Sequence, residues 1–156
     1  MKTVLFLCSG NYYRSRFAEE LFNALAKRTG LDWRADSAGL AVDDSTANLG
    51  PIAGDTVREL GRRHVAVELP LRYPRQVRAS DLAGAACVIA LNEGEHRLML
   101  EQQFPGWAER AEYWHIPDLY EAPAGESLRA LECNVETLIQ ALCTPSGSVP
   151  STFMSC

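Results

Sequence analysis

The chain has 156 residues, of which 47% are hydrophobic and 22% charged, with a formal net charge of −5. That length fits one domain able to fold without disulfides or structural metal, and the apolar content excludes intrinsic disorder. The acidic balance excludes a general attraction for nucleic acid or an anionic membrane, so any anion site must be built locally by a few residues.

The chain opens on a continuous apolar run, Val4 to Leu7, which predicts a strand buried on both faces of a parallel sheet. The run is too short for a signal peptide or a membrane span, so a cytoplasmic location is expected. From Ser15 the period changes: Phe17, Leu21, Ala24, Leu25 and Arg28 recur at helical spacing, and Gly30 sits where that helix would end. A short second strand is expected within Asp32 to Leu40, followed by a turn-rich surface loop from Ala41 to Pro51. Ile52 to Gly61 reads as a helix with Pro51 at its first position and Ala53, Val57 and Leu60 on one face. Ser80 and Asp81 suit the cap of a helical turn, Ala86 to Leu91 is a second buried strand, and Glu93 to Phe104 is helical. A short strand near Ala111 then leads into a proline-containing loop, and Glu126 to Cys143 forms the last helix, with Leu128, Leu131, Val135, Leu138 and Leu142 in one stripe.

Strands alternating with helices at this spacing predict a single α/β domain over residues 1–143. We expect a four-stranded parallel sheet with helices on both faces, a Rossmann-like three-layer arrangement. Residues 144–156 carry no charge but two prolines, a glycine and four serines, and are expected to form a disordered tail. Ligands of such sheets bind beyond the carboxyl ends of the strands. Cys8, Asn92 and the Pro117-Asp118 pair all follow predicted strands on that edge.

The first loop has the form C-x5-R. Gly10 and Asn11 tolerate left-handed backbone, so consecutive N–H groups can turn inward as an anion nest, with the start of the following helix adding its partial positive charge. The same field favours thiolate over thiol at Cys8. Arg14 offers a planar fork for two phosphate oxygens. A thiolate facing a bound phosphoryl group is set for in-line attack, which calls for a hydroxyl near the sulfur, supplied by Ser15, and an acid for the departing oxygen, best supplied by Asp118.

LFLCSGNYYRSRFAEE resembles the signature of the low-molecular-weight protein tyrosine phosphatases, Cys-x-Gly-Asn-x-x-Arg-Ser directly after the first strand; Cys8, Gly10, Asn11, Arg14 and Ser15 match it. DSAGL (Asp36 to Leu40), PRQV (Pro74 to Val77), VIALN (Val88 to Asn92) and IPDLY (Ile116 to Tyr120) follow in the family's order. The resemblance implies the phosphotyrosine phosphatase I-like fold and a protein-tyrosine phosphatase working through a phosphocysteine. In that scheme Cys8 is the nucleophile, Arg14 binds phosphate, and Asp118 protonates the leaving group and then activates water. Asn11 and Ser15 hold the loop and the thiolate, and Ser9, Gly10, Tyr12, Tyr13 and Tyr120 border the substrate, a phosphorylated protein. Where relatives often carry a second cysteine before the arginine, this chain has Tyr13, and where their acid loop reads Asp-Pro-Tyr it has Asp118, Leu119 and Tyr120.

No cofactor or metal is expected, because His64, His96 and His115 share no ligand spacing and the five cysteines form no C-x-x-C pair. Cys87 reads as core, and Arg72 and Arg75 as flanking the site or as surface residues. Two other functions share this scaffold or loop. An arsenate reductase would need a relay of further cysteines after the second buried strand, where only Cys87 is found; a non-catalytic phosphate- or phosphoprotein-binding module would have no use for Asp118. The residues leave the oligomeric state and the physiological substrate open.

Overall fold

The computed structural model describes residues 1–43 and 47–144; apart from Thr144, the expected tail lies outside these. In chain order the elements are β1 (Lys2–Cys8), α1 (Arg14–Thr29), β2 (Trp33–Gly39), α2 (Gly54–Arg62), α3 (Ala79–Gly84), β3 (Cys87–Ala90), α4 (Glu93–Gln103), β4 (Glu112–Tyr113) and α5 (Ala124–Cys143). The strands form one four-stranded sheet in the order β2-β1-β3-β4, parallel throughout.

β1 is central because its side chains are apolar on both faces. Val4 and Phe6 enter a core with Phe17 and Phe22 of α1 and Leu128, Leu131 and Val135 of α5. Leu5 and Leu7 enter a second core with Leu82 of α3 and Leu100 of α4. Alternation along a strand thus recruits one helix layer to each face, at roughly 1.5–3 kcal/mol per fully buried side chain. α1 stops at Gly30, whose φ of 67° lets its N–H turn back to the carbonyls of Ala26 and Lys27.

Several elements depart in detail from expectation. α2 begins at Gly54 rather than Ile52, because Ala53 N–H donates to Tyr12 O and Arg16 to Pro51 O, holding the segment before it extended. Its inward face carries Thr56 and Leu60, and Val57 is 42% exposed; the bond from Thr56 Oγ1 to Tyr13 O sets that rotation. In α3, Asp81 caps from the third position by accepting the backbone N–H of Arg78. α5 starts two residues before its predicted Glu126, its first turn following Pro123.

Candidate active site

Cys8 ends β1 and Arg14 begins α1, so residues 9–13 turn from sheet to helix in a single loop. Asn11 makes that turn with φ of 51°, a left-handed conformation that asparagine accepts more readily than most residues. Its side chain is locked from both ends. Oδ1 accepts from Arg72 Nη1 and Arg75 N, while Nδ2 donates to Ser15 Oγ and Ser37 Oγ, each at 2.9 Å. Ser15 Oγ, which accepts from Asn11, lies 2.9 Å from Cys8 Sγ and gives its own hydrogen to that sulfur when it is a thiolate. Asn11 N–H also faces the sulfur at 3.3 Å. A thiolate at Cys8 would therefore receive two donors, the Ser15 hydroxyl and Asn11 N–H. Ser37 continues the network by donating to Glu19.

Arg14 is 2% exposed. Nη1 donates to Glu95 Oε2 at 2.8 Å and Ile116 O at 2.9 Å, and Nη2 to Glu95 Oε1 at 3.0 Å and Asp118 Oδ2 at 3.2 Å. Burial opposes the guanidinium charge, yet the Glu95 hydrogen bond and the negative charges of Cys8 and Asp118 raise the pKa overall. Burial likewise pushes Glu95 up, and its bonds to Arg14 outweigh this and hold it below the usual carboxylate range.

Cys8, Ser9, Gly10, Tyr12, Tyr13, Arg14 and Asp118 line one cavity of about 190 Å³, completed by Asn48 and Leu119. Asn11 and Ser15 lie fully buried behind it. Tyr120 is 76% exposed and is not part of the cavity wall. Among the described residues no group of three or more His, Cys, Asp or Glu could hold a metal ion.

The sequence profile described as Low molecular weight phosphotyrosine protein phosphatase matches residues 3–146. The chain belongs to this family. The Protein-arginine-phosphatase of Bacillus subtilis (strain 168) is 26% identical over 107 residues, covering 69% of this chain and 66% of that protein, just under two thirds of its length. The crystal structure of a low molecular weight protein tyrosine phosphatase from T. tengcongensis is 28% identical, with a TM-score of 0.72 over 91% of this chain and 97% of that one. SP-PTP, a low molecular weight protein tyrosine phosphatase from Streptococcus pyogenes, shares the fold at 18% identity, with a TM-score of 0.77 over 94% of this chain and 96% of that one.

The two departures from the family's signature have distinct surroundings in this low molecular weight phosphatase scaffold. Tyr13 is buried, and its ring packs in the core beside α1 and α5. Leu119 is partly exposed at the cavity mouth. Glu95, His96, Ser37, Arg72 and Gly39 also shape the site, and reading the sequence residue by residue did not single out the first, third or last. Glu95 had a usable signal, since it lies in the first turn of a helix that starts right after a strand on the ligand edge. Gly39 had one as well: a Cβ there would lie 2.7 Å from Ser9 O and 3.2 Å from Asn11 Cβ, so only glycine lets β2 end this close to the loop.

Proposed function

We propose that the protein is a cysteine-dependent phosphomonoesterase that dephosphorylates protein phosphotyrosine. The observation that carries this reading is the meeting of Cys8, Arg14 and Asp118 on one small cavity, with the Ser15 hydroxyl and Asn11 N–H within hydrogen-bond reach of the sulfur.

In the proposed reaction the Cys8 thiolate attacks phosphorus, the S–P bond forms and the P–O bond to the leaving group breaks. Asp118 gives that oxygen its proton. Water then attacks the phosphocysteine, giving a proton back to Asp118 and freeing the thiolate as inorganic phosphate departs. Arg14 and the loop N–H groups hold the equatorial oxygens throughout. The Asp118 carboxyl group rests on Arg14. A phosphoryl dianion competes for the same guanidinium and frees Asp118 to face the leaving oxygen.

Tyr12 and Leu119 give the cavity an aromatic and an aliphatic wall, suited to an aryl ring. The reducing cytoplasm suits a thiolate enzyme. A second reading, phosphoarginine as the substrate, is favoured by the Bacillus subtilis relative; against it stands a lining in which, among the described residues, Asp118 is the only carboxylate available to a guanidinium. The test is a steady-state panel of phosphotyrosine, phosphoarginine and phosphoserine peptides with Cys8→Ser as control. Turnover surviving in Cys8→Ser would sink the mechanism, and preference for phosphoarginine would replace the substrate.

A further inference from the structure

Glu95 and His96 are consecutive in the first turn of α4 and reach opposite ends of the loop. Glu95 grips Arg14, while His96 Nε2 lies 3.1 Å from Ser9 Oγ. The His96 side chain is 0% exposed, and its other ring nitrogen, Nδ1, has no hydrogen-bond partner.

That orphaned nitrogen decides the tautomer. A neutral imidazole carries one N–H. On Nδ1 the proton would be a buried donor without an acceptor; on Nε2 it leaves only a bare lone pair at Nδ1, the smaller defect. Burial first, then the neighbouring Arg14, disfavour the doubly protonated ring and lower its pKa to about 4. Nε2–H therefore donates to Ser9 Oγ. The Ser9 hydroxyl has no other partner among the described residues, and Ser9 lines the cavity, so its hydrogen is left to face that space.

The pair is not a second nucleophilic dyad. Such a serine gives its proton to the histidine, and a third group orients the far nitrogen; here the donation runs the other way and Nδ1 has no orienting partner.

We propose that His96 is a positioning residue: by donating Nε2–H to Ser9 Oγ, it turns the Ser9 hydroxyl hydrogen into the cavity as an added donor to a bound phosphoryl oxygen. The proposal deepens the phosphatase reading of this cavity, but phosphate binding tests it without turnover.

Long-range proton–nitrogen NMR of the wild type should find the proton of His96 on Nε2. A proton on Nδ1 overturns the proposal. Calorimetry with inorganic phosphate should show S9A and H96M each weakening binding by about three- to ten-fold, the usual effect of one neutral hydrogen bond. The H96M/S9A double variant should bind no worse than S9A, since His96 acts through Ser9. H96Q, with an amide donor near the place of Nε2, should return to within about two-fold of wild type, a rescue that a mere packing role does not predict. A folded H96M that binds phosphate like wild type, or an additive double variant, refutes it; should H96M fail to fold, S9A binding phosphate like wild type does the same. Phosphate binding with the expected mutant pattern but no turnover of para-nitrophenyl phosphate by the wild type would instead remove the phosphatase reading and leave this one standing.

Discussion

The guanidinium of Arg14 and the carboxylate of Glu95 meet edge to edge in two parallel hydrogen bonds of 2.8 and 3.0 Å, one partner almost wholly buried and the other 19% exposed. This fork fixes the plane of Arg14 before any ligand arrives, which removes the rotamer entropy that phosphate binding would otherwise have to overcome. Glu95→Gln keeps the shape and one acceptor but loses the charge. It should lower stability by roughly 1–3 kcal/mol in urea unfolding and weaken inorganic phosphate in the same preparation. A variant that lost stability alone would show that Glu95 is a packing partner without influence on the ligand.

Asp118 reaches the cavity from the loop before α5, with Oδ1 fixed by the N–H of Leu119 at 2.8 Å. As the proposed general acid it should matter most when the leaving group is poor. Asp118→Asn should cut kcat for aryl phosphates by about 10²-fold, with a larger loss for phenyl than for para-nitrophenyl phosphate. Equal losses across that series would assign the acid role elsewhere, Glu121 being the nearest competitor in the chain.

His96 gives folding a pH dependence of defined sign. Its folded pKa of about 4 lies below the ordinary 6.5, so between those values the unfolded chain binds a proton that the folded protein refuses. Stability is full above pH 6.5 and falls as the pH drops to about 4, by an amount on the order of 3 kcal/mol. Urea midpoints of wild type and His96→Gln across that range should converge toward acid. Parallel profiles would mean that His96 is protonated in the folded state.

At Gly39 the end of β2 abuts the loop backbone. In Gly39→Ala the new methyl would meet Val42 Cγ2 at 2.5 Å and Ser9 O at 2.7 Å. The valine tip can rotate away; the Ser9 carbonyl cannot without shifting the loop, because it accepts the N–H of Ala41. We expect a stability loss of roughly 1–3 kcal/mol with a drop in kcat/KM larger than that loss explains. Unchanged kinetics in the folded variant would show that the loop tolerates displacement.

Cys8 and Cys87 should differ sharply toward alkylating reagents. Burial, then Glu112, push the Cys87 thiol up to about 12, so it stays protonated at neutral pH. Peptide mapping after brief iodoacetamide treatment at pH 7 should find Cys8 modified, phosphate protecting it, and Cys87 intact. Modification of Cys87 under these conditions would contradict the raised thiol pKa at the start of β3.

Much of the fold was legible because its signals are local. The two-faced apolar run at Val4 to Leu7, the change of period at Ser15 and Gly30 as a stop each state a backbone preference within a few residues. The turn from β1 into α1 was legible for the same reason, being contiguous from Cys8 to Ser15. What was hidden involves partners far apart in sequence. The start of α2 is set by Tyr12, Tyr13 and Arg16, some 40 residues earlier, and Glu95 becomes part of the site only once the first turn of α4 reaches Arg14, at the start of α1, on the carboxyl edge of the sheet. Tyr120 stands outside the cavity wall, because adjacency to Asp118 says nothing about which way a turn points its side chains.

The floor and the rim of the cavity are made from different material. The floor is main chain and the buried side chains of Cys8, Asn11, Arg14 and Ser15, tied together by hydrogen bonds, so a substitution there disturbs folding and chemistry together. The rim, Tyr12, Asn48 and Leu119, belongs to loops whose neighbours include the exposed Leu49 and Tyr120, where a change of side chain costs little stability. Such a scaffold is evolvable in one direction only: its recognition can drift from one phosphorylated side chain to another while the reaction at sulfur stays fixed, and family membership alone leaves the preferred substrate to be decided at those few rim positions.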